Sequence, residues 1–277
     1  MANLRIMTFN VRGAYHRDGT NTWKRRAKLN ARVIRRCAPD LIGFQEHQAG
    51  NRRTYDSELA SYENLLGPEY ENRKPHAYNA IYWNPGRLQL LDSGGFWLSE
   101  SPERFSRSWN SNQVRSANWA RFRLLPANRE LLHLNTHLDH KSGEARRRGA
   151  GLIVHRINDL AGEETPVFVT GDFNADPGSP VHGRFTEAGF RDAHLLAGNP
   201  PTRTFHKFQG EGFVSRRPER EGRIDWILVR DPDFEVSGAG ISCRVVCEAE
   251  PPVYPSDHYP VVAEVPLREA GADGDLT

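Results

Sequence analysis

Along this chain the apolar residues fall into short runs, and most runs carry a polar residue at one end. Alternation, or near-continuous apolarity, over roughly four to eight positions marks a half-buried or fully buried β-strand. That pattern predicts strands at 4–10, 39–46, 80–83, 88–97, 115–125, 130–137, 167–169, 223–229, 237–246 and 255–265. Helical spacing of Leu29, Val33 and Ile34 predicts a helix over 23–37, with Thr22 placed to cap it. A second helix is expected over 144–160, with Leu152, Ile153, His155 and Ile157 inward and Arg146 to Arg148 outward. Residues 47–60 read as helix or loop, 183–188 as a short helix, and the Gly-, Pro- and Arg-rich stretch 198–222 as a surface loop. Without a long repeat or a low-complexity linker, the order of elements predicts packed sheets flanked by helices in one domain over 1–267. Residues 268–277 are expected to be a flexible polar tail.

The stretch 167–176 gathers the most polar chemistry. Val167, Phe168 and Val169 lead to Gly171, where the backbone turns, and Asp172 and Asn174 follow two residues apart. In an extended segment those two side chains share a side, which places a carboxylate and a carboxamide together at the mouth of a strand. An Asx turn closing the strand accounts for the same residues.

Composition removes several classes of function. The 277 residues are 38% hydrophobic and 26% charged, enough for a sizeable core. With 37 basic against 35 acidic side chains the net charge is +2, so affinity for phosphates must come from a local patch. Arg203, Lys207, Arg216, Arg217, Arg220 and Arg223 offer one, although Glu211, Glu219 and Glu221 among them fit a solvated loop equally well. The basic residues of the first helix, Lys24, Arg25, Arg26, Lys28, Arg32, Arg35 and Arg36, read as a solvated face. The three cysteines, Cys37, Cys243 and Cys247, are odd in number and lack CxxC spacing, which argues against a disulfide framework or a zinc site. No apolar run approaches the length of about 18 residues needed for a membrane span, so the expectation is a soluble cytoplasmic protein with no evident partner protein.

The chemistry sits at the strand ends. Asn10, Glu46, His137 and the pair Asp172 and Asn174 follow apolar runs, whereas Asp225, Asp257 and His258 precede them. If neighbouring strands run antiparallel, all of these groups meet on one rim. Carboxylates and amide oxygens without thiolates suit a hard divalent cation such as Mg2+ or Mn2+. Such a cation with histidine and arginine is what phosphate-ester hydrolysis needs.

Six short motifs stand in one order: Thr8 to Asn10, Gln45-Glu46, Asn135-Thr136-His137, Gly171 to Asn174, Ile224-Asp225 and Ser256-Asp257-His258. In that order the chain resembles the endonuclease/exonuclease/phosphatase superfamily. The resemblance implies an α/β fold, a four-layer sandwich of two mixed β-sheets packed face to face with helices outside. Carried over position by position, it implies Glu46 as the principal metal carboxylate, assisted by Asn10 and Asp257. It makes Asp172 and Asn174 the pair that activates and orients water, and His258 with Asp225 a dyad on the scissile phosphate. It makes His137 a second active-site histidine, Arg115 a phosphate contact and Tyr82 a weaker one. Repair endonucleases of the superfamily carry an Asp where this chain has Arg12. Asn135-Thr136-His137 instead resembles the branch of nocturnin and the catabolite-repressor-type deadenylases. The implied activity is hydrolysis of a phosphodiester in RNA, single-stranded nucleic acid or a nucleotide. The alternatives are a phosphomonoesterase acting on a sugar, inositol or lipid-headgroup phosphate, or a non-catalytic binding module of the same fold.

Overall fold

The computed structural model describes residues 2–68, 77–215, 222–233 and 240–268. In chain order these form β1 (Ala2–Asn10), α1 (Trp23–Cys37), β2 (Leu41–Gln45), α2 (Ala49–Glu58), β3 (Glu63–Leu65), β4 (Ile81–Trp83), β5 (Leu88–Trp97) and β6 (Ser116–Leu124). They continue with β7 (Arg129–His137), α3 (Gly143–Leu160), β8 (Val167–Asp172), α4 (Pro180–Thr186), β9 (Arg191–Asp192), α5 (Ala193–Leu196), β10 (Asp225–Arg230), β11 (Ser242–Val245) and β12 (Val261–Leu267).

The strands make two six-stranded sheets, ordered β11-β12-β1-β2-β4-β3 and β5-β6-β7-β8-β10-β9. Both are mixed, since β1 lies parallel to β2 and β7 to β8. β12 runs antiparallel to β1, and β10 antiparallel to β8 with Asp225 opposite Asp172. The ends of β1, β2, β7 and β8 and the starts of β10 and β12 therefore share one rim. This is the condition under which the polar strand ends converge.

Three apolar clusters define the layers. Leu4, Ile6, Leu41, Phe122, Phe168 and Val265 pack between the sheets. Met7, Phe9, Ile42 and Phe44 face Leu29, Val33 and Ile34 of α1 on one outer side. Val167, Val169, Leu132 and Leu134 face Ile153 and Ile157 of α3 on the other. The architecture is the four-layer α/β sandwich. Each fully buried aliphatic side chain contributes roughly 1.5–3 kcal/mol of burial.

Period two along each strand separates these layers. The same alternation grades the inter-sheet face from apolar to polar toward the rim: Leu4, Ile6, Thr8, Asn10 on β1, and Phe168, Thr170, Asp172 on β8. Gly43 lets the two sheets approach where this grading begins. A Cβ there would lie 2.1 Å from Thr170 Oγ1 and 2.6 Å from Asn135 Oδ1. Asn135 Nδ2 donates to the carbonyls of Phe44 and Ala80 across the gap, at 2.8 and 3.1 Å. Its Oδ1 accepts from Gln45 Nε2 at 2.8 Å and from Thr170 Oγ1 at 3.1 Å. Buried amides and hydroxyls here bond one another across the gap.

Several sequence expectations change. Arg26 belongs to no solvated face: it is fully buried, donating to the carbonyls of Asn21, Val11 and Pro255 at 2.7–2.9 Å. Its face of α1 packs onto the loops after β1 and before β12, which leave free carbonyls there. Thr22 precedes α1 but makes no side-chain cap, whereas Ser142 Oγ does accept from Ala145 N on α3, at 3.1 Å. His155 points outward beside Asp159. The short helix expected at 183–188 starts earlier, at Pro180, where Ser179 caps it. Within the surface loop read at 198–222, Thr204 and His206 are buried, and Phe205 bridges to His258 at the rim. Of the strand expected at 237–246 only Ser242–Val245 forms within the described residues. Residues 237–239, Arg216, Arg217, Arg220, Glu219, Glu221 and the tail from 269 lie outside the described residues.

Candidate active site

The rim residues meet around one carboxylate oxygen. Asp172 closes β8, and its Oδ2 lies 3.0 Å from Asn10 Nδ2, 3.3 Å from His137 Nε2 and 3.8 Å from His258 Nε2. Its Oδ1 accepts from Asn174 N at 2.9 Å, so the Asx turn is present. Asn174 adopts φ +50°, and its Nδ2 donates to Leu138 O at 3.0 Å. The two side chains flank the site through that turn rather than through an extended backbone.

Arg12 and Glu46 share the left-handed backbone of Asn174, with φ +47° and +56°. Such conformations are uncommon outside glycine and concentrate at functional sites. Glu46 follows the end of β2 directly and Arg12 the end of β1 by two residues, and each turns its side chain along the rim. Glu46 Oε1 accepts from Asn10 Nδ2 at 3.3 Å, and Oε2 faces His16 Nε2 at 3.4 Å. Arg12 Nε stands 3.7 Å from Asp257 Oδ2 and donates to Asp18 at 3.3 Å.

His258 and Asp225 come from different sheets and join through Nδ1 and Oδ2 at 2.9 Å. Burial opposes charge on the His258 ring, but Asp225, Asp172 and Asp257 outweigh it and hold its pKa up to about 10. Asp172 moves upward to about 7, first through burial and then through Asp225. His137 is driven the other way, well below the usual imidazole range, by burial and by Arg115. Two histidines beside one carboxylate thus differ in charge: His258 is an imidazolium and His137 is neutral. Burial also works to raise Glu46, but the contact with His16 and the charges of Arg12 and His258 hold it below the usual carboxylate range. Asp257 is raised, chiefly by burial.

Ligand atoms of Asp172, Asp225 and His258 lie within 4.8 Å of one another. His258 Nδ1 is already committed to Asp225, which leaves this group fewer free donors for a cation. The hard oxygens of Glu46, Asn10 and Asp257 fit one better, with Glu46 ionised and its oxygens meeting, among the described residues, the Asn10 amide and His16.

Arg115 lines the cleft above these groups. Its buried Nε has no hydrogen-bond partner among the described residues, and Nη2 lies 3.3 Å from His140 Nδ1. Tyr82 is a correction. Alternation along β4 turns Ile81 and Trp83 toward the other sheet and Tyr82 outward, where it packs with Phe44, Tyr55 and His47. Its hydroxyl meets His47 Nε2 at 3.2 Å, away from the cleft. Asp139, just beyond β7, is buried and accepts from the backbone of Lys141 and Ser142 at 2.9 and 2.8 Å.

The cleft has a volume of about 1510 Å³. Sequence reasoning missed much of its wall: His16, Tyr78, Trp97, Phe105, Phe205 and Phe213. The signal for Phe205 was a short apolar island in a polar stretch just ahead of Ile224-Asp225. His16, in a polar loop, left no signal.

The profile of the Endonuclease/Exonuclease/phosphatase family matches residues 7–258. Nocturnin of Drosophila melanogaster is 27% identical over 206 residues, covering 65% of this chain and 30% of that protein. Nocturnin of Xenopus laevis is 30% identical over 177 residues, covering 60% and 44%. The chain thus spans less than half the length of these relatives. The solved endonuclease/exonuclease/phosphatase from Bacteroides vulgatus superposes with TM-score 0.83 at 28% identity, covering 97% of this chain and all of that one. A mannosyl-6-phosphatase from Bacteroides thetaiotaomicron superposes with TM-score 0.81 at 25% identity, covering 95% and 99%. This chain belongs to the endonuclease/exonuclease/phosphatase family. Among the described residues no helix is long and apolar enough to cross a membrane.

Proposed function

We propose that this chain is a Mg2+- or Mn2+-dependent phosphodiesterase acting on RNA, single-stranded nucleic acid or a nucleotide. The observation that carries the reading is Asp172 Oδ2, held by Asn10 at 3.0 Å and His137 at 3.3 Å beside the charged His258 at 3.8 Å. A buried carboxylate whose pKa is lifted toward neutrality is a competent general base.

Glu46, Asn10 and Asp257 would hold the cation. Bound there, it supplies charge neutralisation at a non-bridging phosphoryl oxygen. Asp172 takes the proton of a water that forms the new O–P bond as the P–O bond to the leaving group breaks. Asn174 Oδ1, which carries no hydrogen bond among the described residues, orients that water. His137, neutral and donating through Nε2, steadies the Asp172 carboxylate. The imidazolium of His258, fixed by Asp225, and the Arg115 guanidinium stabilise the charge that develops on the phosphoryl oxygens. The leaving oxygen takes its proton from solvent.

Cleft size and lining favour a nucleotide over a bare phosphate. Tyr78, Trp97, Phe105, Phe205 and Phe213 give it aromatic walls, and Arg115, Lys141, Arg146, Arg203 and Lys207 interleave cations. Bases stack on such rings while cations follow the backbone. The second reading is a phosphomonoesterase on a sugar phosphate. It rests on the likeness to the mannosyl-6-phosphatase and on the polar side chains of Gln48, Asn79 and Gln113 in the lining.

The two separate in one assay. Bis-p-nitrophenyl phosphate should turn over faster than the mono-ester and be inhibited by oligoribonucleotide. A mono-ester preference indifferent to polynucleotide would sink the nuclease reading, and full activity in excess EDTA would sink the cation.

A further inference from the structure

The dyad spans the two sheets, since Asp225 opens β10 and His258 precedes β12. The 2.9 Å contact between them needs something to hold the two sheets in register at the rim. The segment around Thr204, itself in neither sheet, lies between them. Thr204 is fully buried. Its Oγ1 accepts from Ile224 N at 3.0 Å and Asp225 N at 3.3 Å, and faces Gly222 O at 3.5 Å. Its carbonyl accepts from Tyr259 N at 2.8 Å. One residue thus bonds the backbone of Asp225 through its side chain and that of the residue after His258 through its main chain.

Its neighbours reinforce the link. Phe205 bridges to His258, and its ring meets the imidazole with centroids 5.0 Å apart. The N–H groups of His206 and Lys207 donate to Asp257 O at 2.9 and 3.1 Å. Asp225 Oδ1, by contrast, is buried without a partner among the described residues, so side-chain bonds alone do not fix this carboxylate beyond its contact with His258. Its aim depends on where its backbone is held.

We infer that Thr204 is a positioning residue whose hydroxyl holds the start of β10 so that Asp225 meets His258 from the opposite sheet. It acts through the dyad, and the inference rests on the catalytic reading of that dyad. A misplacement of about 1 Å far from the reacting atoms is enough to lower turnover about 100-fold.

The test uses the full chain and bis-p-nitrophenyl phosphate. Thr204→Val keeps the shape and removes the hydroxyl; Thr204→Ser keeps the hydroxyl. Thr204→Val should lower kcat about 10- to 100-fold with KM changed less than about threefold, while Thr204→Ser stays within about threefold of wild type. In the Asp225→Asn background, Thr204→Val should add less than about threefold, because the two changes break one arrangement. The low-field proton resonance of the His258 ring should broaden or vanish in Thr204→Val and persist in Thr204→Ser. If Thr204→Val does not fold, Thr204→Ala takes its place with the same expectations. Wild-type kcat in the hydroxyl-less variant, equal losses in both variants, or additivity with Asp225→Asn overturns the inference. Wild-type activity in Asp225→Asn itself would overturn the role of the dyad instead.

Discussion

The two halves of the inter-sheet space are built from the same strands and behave oppositely. Away from the rim the inward positions are Leu4, Ile6, Leu41, Phe122, Leu131, Phe168 and Val229, an apolar layer. Toward the rim the same strands present Thr8, Asn10, Gln45, Asn118, His133, Asn135, Thr170 and Asp172, all buried. The apolar half draws its stability from area removed from water, which tolerates reshaping. The polar half must match donor to acceptor group by group, and every unmatched group destabilises it. One half supplies the free energy and the other fixes the geometry in which Asn10, His137 and His258 surround Asp172.

The largest expected effects lie at the polar extreme. Asp172→Ala, Glu46→Ala and His258→Ala should each lower hydrolysis at least ~10²-fold in steady-state assays. Asp172→Asn should lower turnover equally without lowering Tm, since it removes a buried charge that its surroundings disfavour. A fall in Tm would show the carboxylate to be a structural requirement.

At the apolar extreme the consequences invert. Phe168→Ala should destabilise by about 3–5 kcal/mol in urea titrations, with kcat per folded molecule unchanged. Asn135→Ala lies between: it removes the bonds to Gln45 Nε2, Thr170 Oγ1 and the carbonyls of Phe44 and Ala80, for about 1–3 kcal/mol, and it should lower kcat as well. Intact turnover in Asn135→Ala would detach the polar layer from catalysis.

Proton linkage gives a smaller distinction. His133, buried between the sheets with its Nε2 on Thr170 Oγ1, is held neutral by burial, its pKa driven down to about 3. Its ordinary unfolded value is about 6.5. A depressed folded pKa means that its stabilisation is complete above pH 6.5 and is lost as pH falls toward 3, because the unfolded chain takes up the proton first. The urea midpoint of wild type should therefore fall between pH 7 and pH 5, and less steeply in His133→Gln. Identical slopes would refute it. The smallest effect is expected for Tyr82→Phe, which touches neither half: activity should remain within about twofold of wild type, as its hydroxyl bonds His47 on the outer face.

Much of this contrast was legible along the chain. The inward row of β1, Leu4, Ile6, Thr8 and Asn10, displays the whole gradient in sequence, and the motifs ending on Glu46, His137 and Asp172 repeat it. Period two converts such rows into faces without knowledge of the partner. Tyr82 shows the limit. Its strand is short and apolar throughout, so alternation had no polar residue to mark the outward side, and only the helix packed there decided it. Arg26 shows the same limit on a helix, where a run of basic residues hides the one that enters the interior.

What the sequence determined by itself was local: which segments are strands or helices, which strand ends carry chemistry, and which family pattern they follow. Those properties depend on alternation, turn residues and residue chemistry over a few positions. Tertiary structure alone decided that His258 is charged and His137 neutral, that His16 and Phe205 join the site, and that Thr204 couples two sheets. Charge state and convergence depend on burial and on partners distant in sequence, and only the pairing of strands brings those within a few ångströms.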